Sequence, residues 1–119
     1  MQDSDAPLRV PRKPSLFGSR LRERLLVLLV LREEIHLREA ARVLSAAASE
    51  TQQALIGLEN AGVVSSRLIG RSRFISLNPR WFAAAELRGL LLRMAEAEPQ
   101  LSQSVANMRT RPRRIGKPL

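Results

Sequence analysis

The chain has 119 residues, 45% of them apolar, which is enough for one domain with a real core. It has no cysteine, so disulfides and thiolate metal sites are excluded, and its single histidine leaves no cluster of nitrogen ligands. The formal net charge of +9 favours polyanionic partners, because each phosphate met by Arg or Lys releases a counterion, but basicity alone does not separate DNA from RNA or from an anionic membrane.

That charge is uneven, at +2 over residues 1 to 20, +2 over 21 to 98 and +5 over 99 to 119. Eighteen of the twenty basic residues are Arg, a bias that a GC-rich genome and selection for bidentate phosphate contacts would each produce. Residues 1 to 15 (MQDSDAPLRVPRKPS) hold three prolines and little apolar periodicity, which predicts a flexible arm. No charged-then-apolar leader opens the chain, which predicts a cytoplasmic location. From about Leu16 the pattern changes. In RLRERLLVLLVLREE, Leu21, Leu25, Leu28 and Leu29 recur at helical spacing, Ser19 stands where an N-cap belongs, and helix one should run to about Arg32. Its run Leu25 to Leu31 is far short of the roughly 20 apolar residues that span a bilayer, and it reads as a buried core helix.

Ile35, His36 and Leu37 suggest a short strand, and REAARVLSA a second helix with Ala40, Ala41 and Leu44 inward. Ser45 to Ala47 form the turn. Helix three should run from Ala48 to Ala61, with Thr51, Ala54, Leu55, Leu58 and Ala61 on one face, Ser49, Glu50, Gln52, Gln53 and Ile56 on the other, and Gly62 as its left-handed stop. After Gly62 the period shifts to two: VVSSRL and RFISL read as a hairpin joined through Ile69 to Ser72 and closed by Asn78 and Pro79. The stretch WFAAAELRGLLLRMAEAE should be helical, with Leu87, Leu90, Leu91 and Met94 as its stripe. Pro99 interrupts it, Leu101, Val105 and Met108 can extend the stripe, and RTRPRRIGKPL reads as a basic, disordered tail. The expected organisation is an arm over 1–15, a folded unit over 16–98 and an extension with tail over 99–119.

Helix, short strand, helix, turn, helix, hairpin is the build order of a winged helix-turn-helix, a mainly α fold with a small β-hairpin. In that unit helix three enters the major groove of duplex DNA and the hairpin, or wing, crosses the adjoining backbone. The wing suits this best, since Arg67, Arg71, Arg73 and Arg80 come without an acid between 67 and 80. In helix three, Gln52 and Gln53 can read adenine, Ser49 can meet phosphate or a base edge, and Ile56 can make apolar contacts. The helix has no Lys or Arg and carries Glu50 and Glu59, so a solvated polar face is the competing reading. Arg38 is a further candidate for backbone contact, or for pairing with Glu34 or Glu39. His36 reads as structural. No nucleophile with a base, no phosphate-cradling glycine loop and no metal spacing is visible, and neither catalysis nor a cofactor is expected.

Three segments, LFGSRLRERLLVLLV, LREAARVLSAAASETQQALIGLENAGVVSSRLIGRSRFISLNP and ELRGLLLR, resemble the ArsR/MarR-type winged-helix transcriptional regulators. The likeness is to the branch that opens with LFGS and carries an ELRGLLLK-like helix, and it covers about residues 16 to 94. It implies binding of double-stranded DNA through Ser49, Gln52, Gln53 and Ile56 of helix three and Arg67, Arg71 and Arg73 of the wing. In that branch a nucleotidyltransferase-like domain is sometimes fused or separately encoded, which makes such a protein a candidate partner. The chain departs from the pattern in three places. Ala47 and Ala48 replace a Ser or Thr cap, helix three lacks its usual cation, and Leu68 and Ile69 put apolar groups near the wing, suggesting contact with a partner or another subunit. The cysteine metal sites of the arsenic sensors are absent. The reading is a DNA-binding regulator that works as a homodimer, pairing through Leu87, Leu91, Met94, Leu101, Val105 and Met108. The alternatives are a winged-helix protein interaction module and an RNA-binding accessory role for the tail.

Overall fold

The computed structural model describes residues 15–110. The expected N-terminal arm, apart from Ser15, and the expected basic tail from residue 111 lie outside the described residues. The elements are α1 (Arg20–Arg32), β1 (Glu34–His36), α2 (Leu37–Val43), α3 (Ala48–Asn60), β2 (Val64–Ile69), β3 (Ser72–Leu77), α4 (Ala84–Ala95) and α5 (Pro99–Thr110). They make a mainly helical winged helix with a three-stranded antiparallel sheet in the order β1-β3-β2. No described helix is long and apolar enough to cross a membrane.

Helix α1 is the axis of the core. Ser19 caps it, its hydroxyl accepting the Arg22 N–H at 3.1 Å, and every residue from Leu25 to Val30 is buried. A helix apolar on all sides needs neighbours on all sides. They are α3, α4, α5 and the sheet, which together enclose it. At its end Glu33 takes φ 76° and ψ −56°, a conformation strained for a residue with a Cβ, and this tight reversal feeds the chain directly into β1.

Two helix ends are closed alike. After α3, Gly62 at φ 81° donates to the Glu59 carbonyl and Val63 to the Leu58 carbonyl, the paired bonds of a Schellman stop. After α2, Ser45 at φ 55° donates to Arg42 and Ala46 to Ala41, so a serine holds the left-handed position in the helix-turn-helix bend. Helix α2 is capped by His36, whose Nδ1 accepts the Arg38 N–H at 3.1 Å while its ring meets Phe74 edge-on at 5.4 Å. The hairpin is tighter than the expected four-residue connection, with only Gly70 and Arg71 between the strands and Gly70 at φ 63°.

Three expectations are corrected by the packing. Ala61, expected inward on α3, is its exposed C-cap, because the Schellman turn carries it off the core face. Leu90, expected in the α4 stripe, is exposed. The stripe expected to pair two subunits is occupied within the chain: Leu87, Leu91, Leu101 and Val105 are buried, and Met94 and Met108 pack against the same core. Pro99 begins α5, as proline can at a first helical position, and α5 closes the side of α1 that α4 leaves open. Glu98, buried at this joint, is held by Arg20 at 2.7 Å and lies 3.9 Å from Arg24.

Candidate nucleic-acid interface

Helix α3 is set by its inner face. Thr51, Ala54, Leu55 and Leu58 are buried, and the Thr51 hydroxyl donates to the Ala47 carbonyl at 3.0 Å. A 3.6-residue period then leaves Ser49, Glu50, Gln52, Gln53 and Ile56 on the outer side, and all five are exposed. Ala47 sits at the N-cap with extended backbone but no side-chain acceptor, so the first turn of α3 keeps its amides uncapped by any side chain.

The wing divides its arginines. In the β2–β3 register, Ser66 faces Ile75, Arg67 faces Phe74 and Leu68 faces Arg73, so Arg67 and Arg73 lie on opposite faces of the hairpin. Arg67, on the outer face with Phe74 and Ser76, reaches across β3 to Glu34. Its Nε and Nη2 donate at 3.0 and 3.1 Å to the two carboxylate oxygens. This bidentate hydrogen bond, and then the carboxylate charge, raise the guanidinium pKa above its already high value. Arg73, on the face that carries buried Val64 and Ile75, donates to the Ser66 hydroxyl at 2.9 Å, and Ser66 donates in turn to Glu59 at the end of α3. That chain of hydrogen bonds ties the wing to the end of α3 through a neutral hydroxyl. Arg71 stands at the exposed turn with neither a side-chain hydrogen bond nor an ion pair among the described residues.

Arg38, at the start of α2, is exposed, and its guanidinium pairs with neither acid weighed from the sequence. Glu34 is taken by Arg67, and Glu39 by Arg42 at 3.4 Å. Arg80, just past β3, is likewise exposed and unpaired among the described residues. Among the described cations of α2 and the wing, Arg38, Arg71 and Arg80 have no side-chain partner, Arg73 is hydrogen-bonded only to the neutral Ser66 hydroxyl, and Arg67 is paired with Glu34. Sequence alone hides this, because Glu34 and Arg67 are thirty-three positions apart and meet only through β3. The apolar wing residues Leu68 and Ile69 are exposed next to this charge.

No family model matches the sequence, and no curated protein matches it. Among solved structures the chain is similar to the X-ray crystal structure of a transcriptional regulator (MarR family) from Rhodococcus sp. RHA1, at 18% identity and a TM-score of 0.48. That alignment covers 81% of this chain and 64% of the other. This chain thus spans under two thirds of the length of that regulator, and at such identity and TM-score the likeness says nothing of its ligands or partners.

Proposed function

We propose that this chain is a transcriptional regulator that binds duplex DNA, with α3 in the major groove and the β2–β3 hairpin over the adjoining backbone, and that it acts as a pair of copies. The observation that carries the reading is the outer face of α3. Ser49, Gln52, Gln53 and Ile56 stand exposed together on a helix whose other side is locked into the core. Its diameter, about 10–12 Å with side chains, suits a groove about 12 Å wide. The uncapped first turn presents amides to a phosphate, and Arg38, Arg71 and Arg80 supply cations that no acid among the described residues claims.

In this reading the two classes of contact divide the work. The arginines and the α3 amides position the protein on phosphates, and Gln52 and Gln53 read base edges. Selection of bound duplexes from a random pool tests it. A motif should emerge, and Gln52→Ala or Gln53→Ala should relax it at one position by about 1–3 kcal/mol of discrimination. Arg71→Ala should instead weaken all sequences alike. A second reading, docking of a partner protein on the wing, draws on exposed Leu68 and Ile69. It predicts that Leu68→Ser abolishes partner capture and that no duplex is enriched.

A further inference from the structure

The outer face of α4 carries features that the fold itself does not use. Phe82, just before the helix, is 90% exposed, and Leu90 and Leu92 are exposed along it, on a helix whose buried side already fills the core. Gly89 sits at its centre. Glycine is a poor choice in a helix interior, and here a Cβ would meet nothing within 4 Å. The other described glycines have reasons within the chain. Gly18, Gly62 and Gly70 take positive φ, and Gly57 makes room for the Arg22 guanidinium, into which a Cβ would run. Gly89 alone among them leaves an unfilled gap on an exposed helix.

Glu86 and Arg93 flank this gap seven residues apart, two turns along one face and about 10 Å along the axis. Glu86 has no ion-pair partner among the described residues. Arg93 touches only its own neighbour Glu96, at 3.0 Å, with both side chains largely in water, so that pair holds it weakly. The face therefore has an unpaired acid, Glu86, toward the N-terminus of α4 and, toward its C-terminus, a cation that Glu96 holds only weakly, with the gap between. Such a pattern is complementary to itself when reversed.

We infer that the outer face of α4 binds the same face of a second copy of this chain, antiparallel about a two-fold axis at Gly89 and Leu90. Crossing there brings Glu86 against the partner's Arg93 and Arg93 against the partner's Glu86, as an isologous contact requires. The missing side chain at Gly89 lets the helices approach closely, and Phe82 and Leu90 leave water against the partner helix. The inference rests on the paired reading proposed above and replaces the buried stripe as the pairing surface. One three-turn helix from each copy makes a contact at the small end of specific interfaces, so the dimer is weak and depends on concentration.

Charge reversal tests it on the full chain without DNA, by sedimentation equilibrium over a range of micromolar concentrations. The mass should rise from 13.3 kDa toward that of two chains. Glu86→Arg and Arg93→Glu should each weaken association at least about tenfold, because each sets two like charges together in every dimer, and the double variant should restore it. All these positions are exposed, and circular dichroism melting checks that the variants fold. A mass fixed at one chain, association unmoved by the single reversals, or no rescue in the double variant would each overturn the interface. Anisotropy with labelled duplex on the same variants reads DNA binding separately. A Glu86→Arg monomer that still binds duplex leaves the DNA reading standing, and a rescued dimer that ignores DNA leaves the interface standing.

Discussion

Arg67 and Arg71 are four residues apart on one hairpin, yet their charges do different things. Arg67 is held by both oxygens of Glu34, so a phosphate must compete with a bidentate partner, whereas Arg71 at the turn has no such competitor. Replacing Arg71 with Ala should therefore lower the slope of log affinity against log salt by about 0.9, one phosphate's worth of counterion release. Arg67→Ala should change it by much less. Glu34→Gln should do the opposite, freeing Arg67, tightening duplex binding and steepening the slope. If Glu34→Gln leaves affinity unchanged in a salt titration, Arg67 does not lie on the DNA path. The four arginines visible between 67 and 80 overstate the free charge there, since linear order cannot show that a strand ending in His36 brings Glu34 beneath the wing.

At the scale of elements, most of the architecture is legible in the chain order. The Ser19 cap, the glycine stop at Gly62 and the change of period after it locate α1, α3 and the hairpin to within a residue or two. Legibility fails where a residue takes a conformation its type disfavours or where a partner lies far away in sequence. Ser45 and Glu33 hold positive φ without being glycine, because helix ends packed on a common core leave no other way to turn. The candidate site divides the same way: the exposed face of α3 follows from its period, and the pairing of Arg67 with Glu34 does not. The start of α3 is uncapped: Ala47 has the backbone of an N-cap, φ −65° and ψ 147°, but offers no acceptor. Ala47→Ser should add about 1 kcal/mol of stability in urea unfolding, by bonding an amide of the first turn. No gain, or a loss, would mean that those amides already have partners.

Over the whole molecule, α1 is a buried rod and every other layer is arranged to cover it. The C-terminal stripe that looks, in sequence, like a surface for a second subunit is needed at home: Leu101 and Val105 seal α1 where the sheet and α4 do not reach. Leu101→Ala should consequently cost about 3 kcal/mol in equilibrium unfolding, as emptied core sites do, and should not act through self-association. A loss that vanished on dilution would place Leu101 at an interface instead. With the buried stripe so occupied, two exposed surfaces among the described residues carry the proposals: the outer face of α3 with the unpaired arginines of α2 and the wing, and the outer face of α4.

We propose that the first of these surfaces meets duplex DNA through its phosphates. It is tested most directly by titrating the affinity of the full chain for a duplex against salt, alongside a variant in which Arg38, Arg71 and Arg80 are all Ala. The prediction is a steep negative slope for the parent chain and a slope shallower by about 2.7 for the variant, which leaves three phosphates with their counterions. Equal slopes for the two proteins, or binding indifferent to salt, would contradict it.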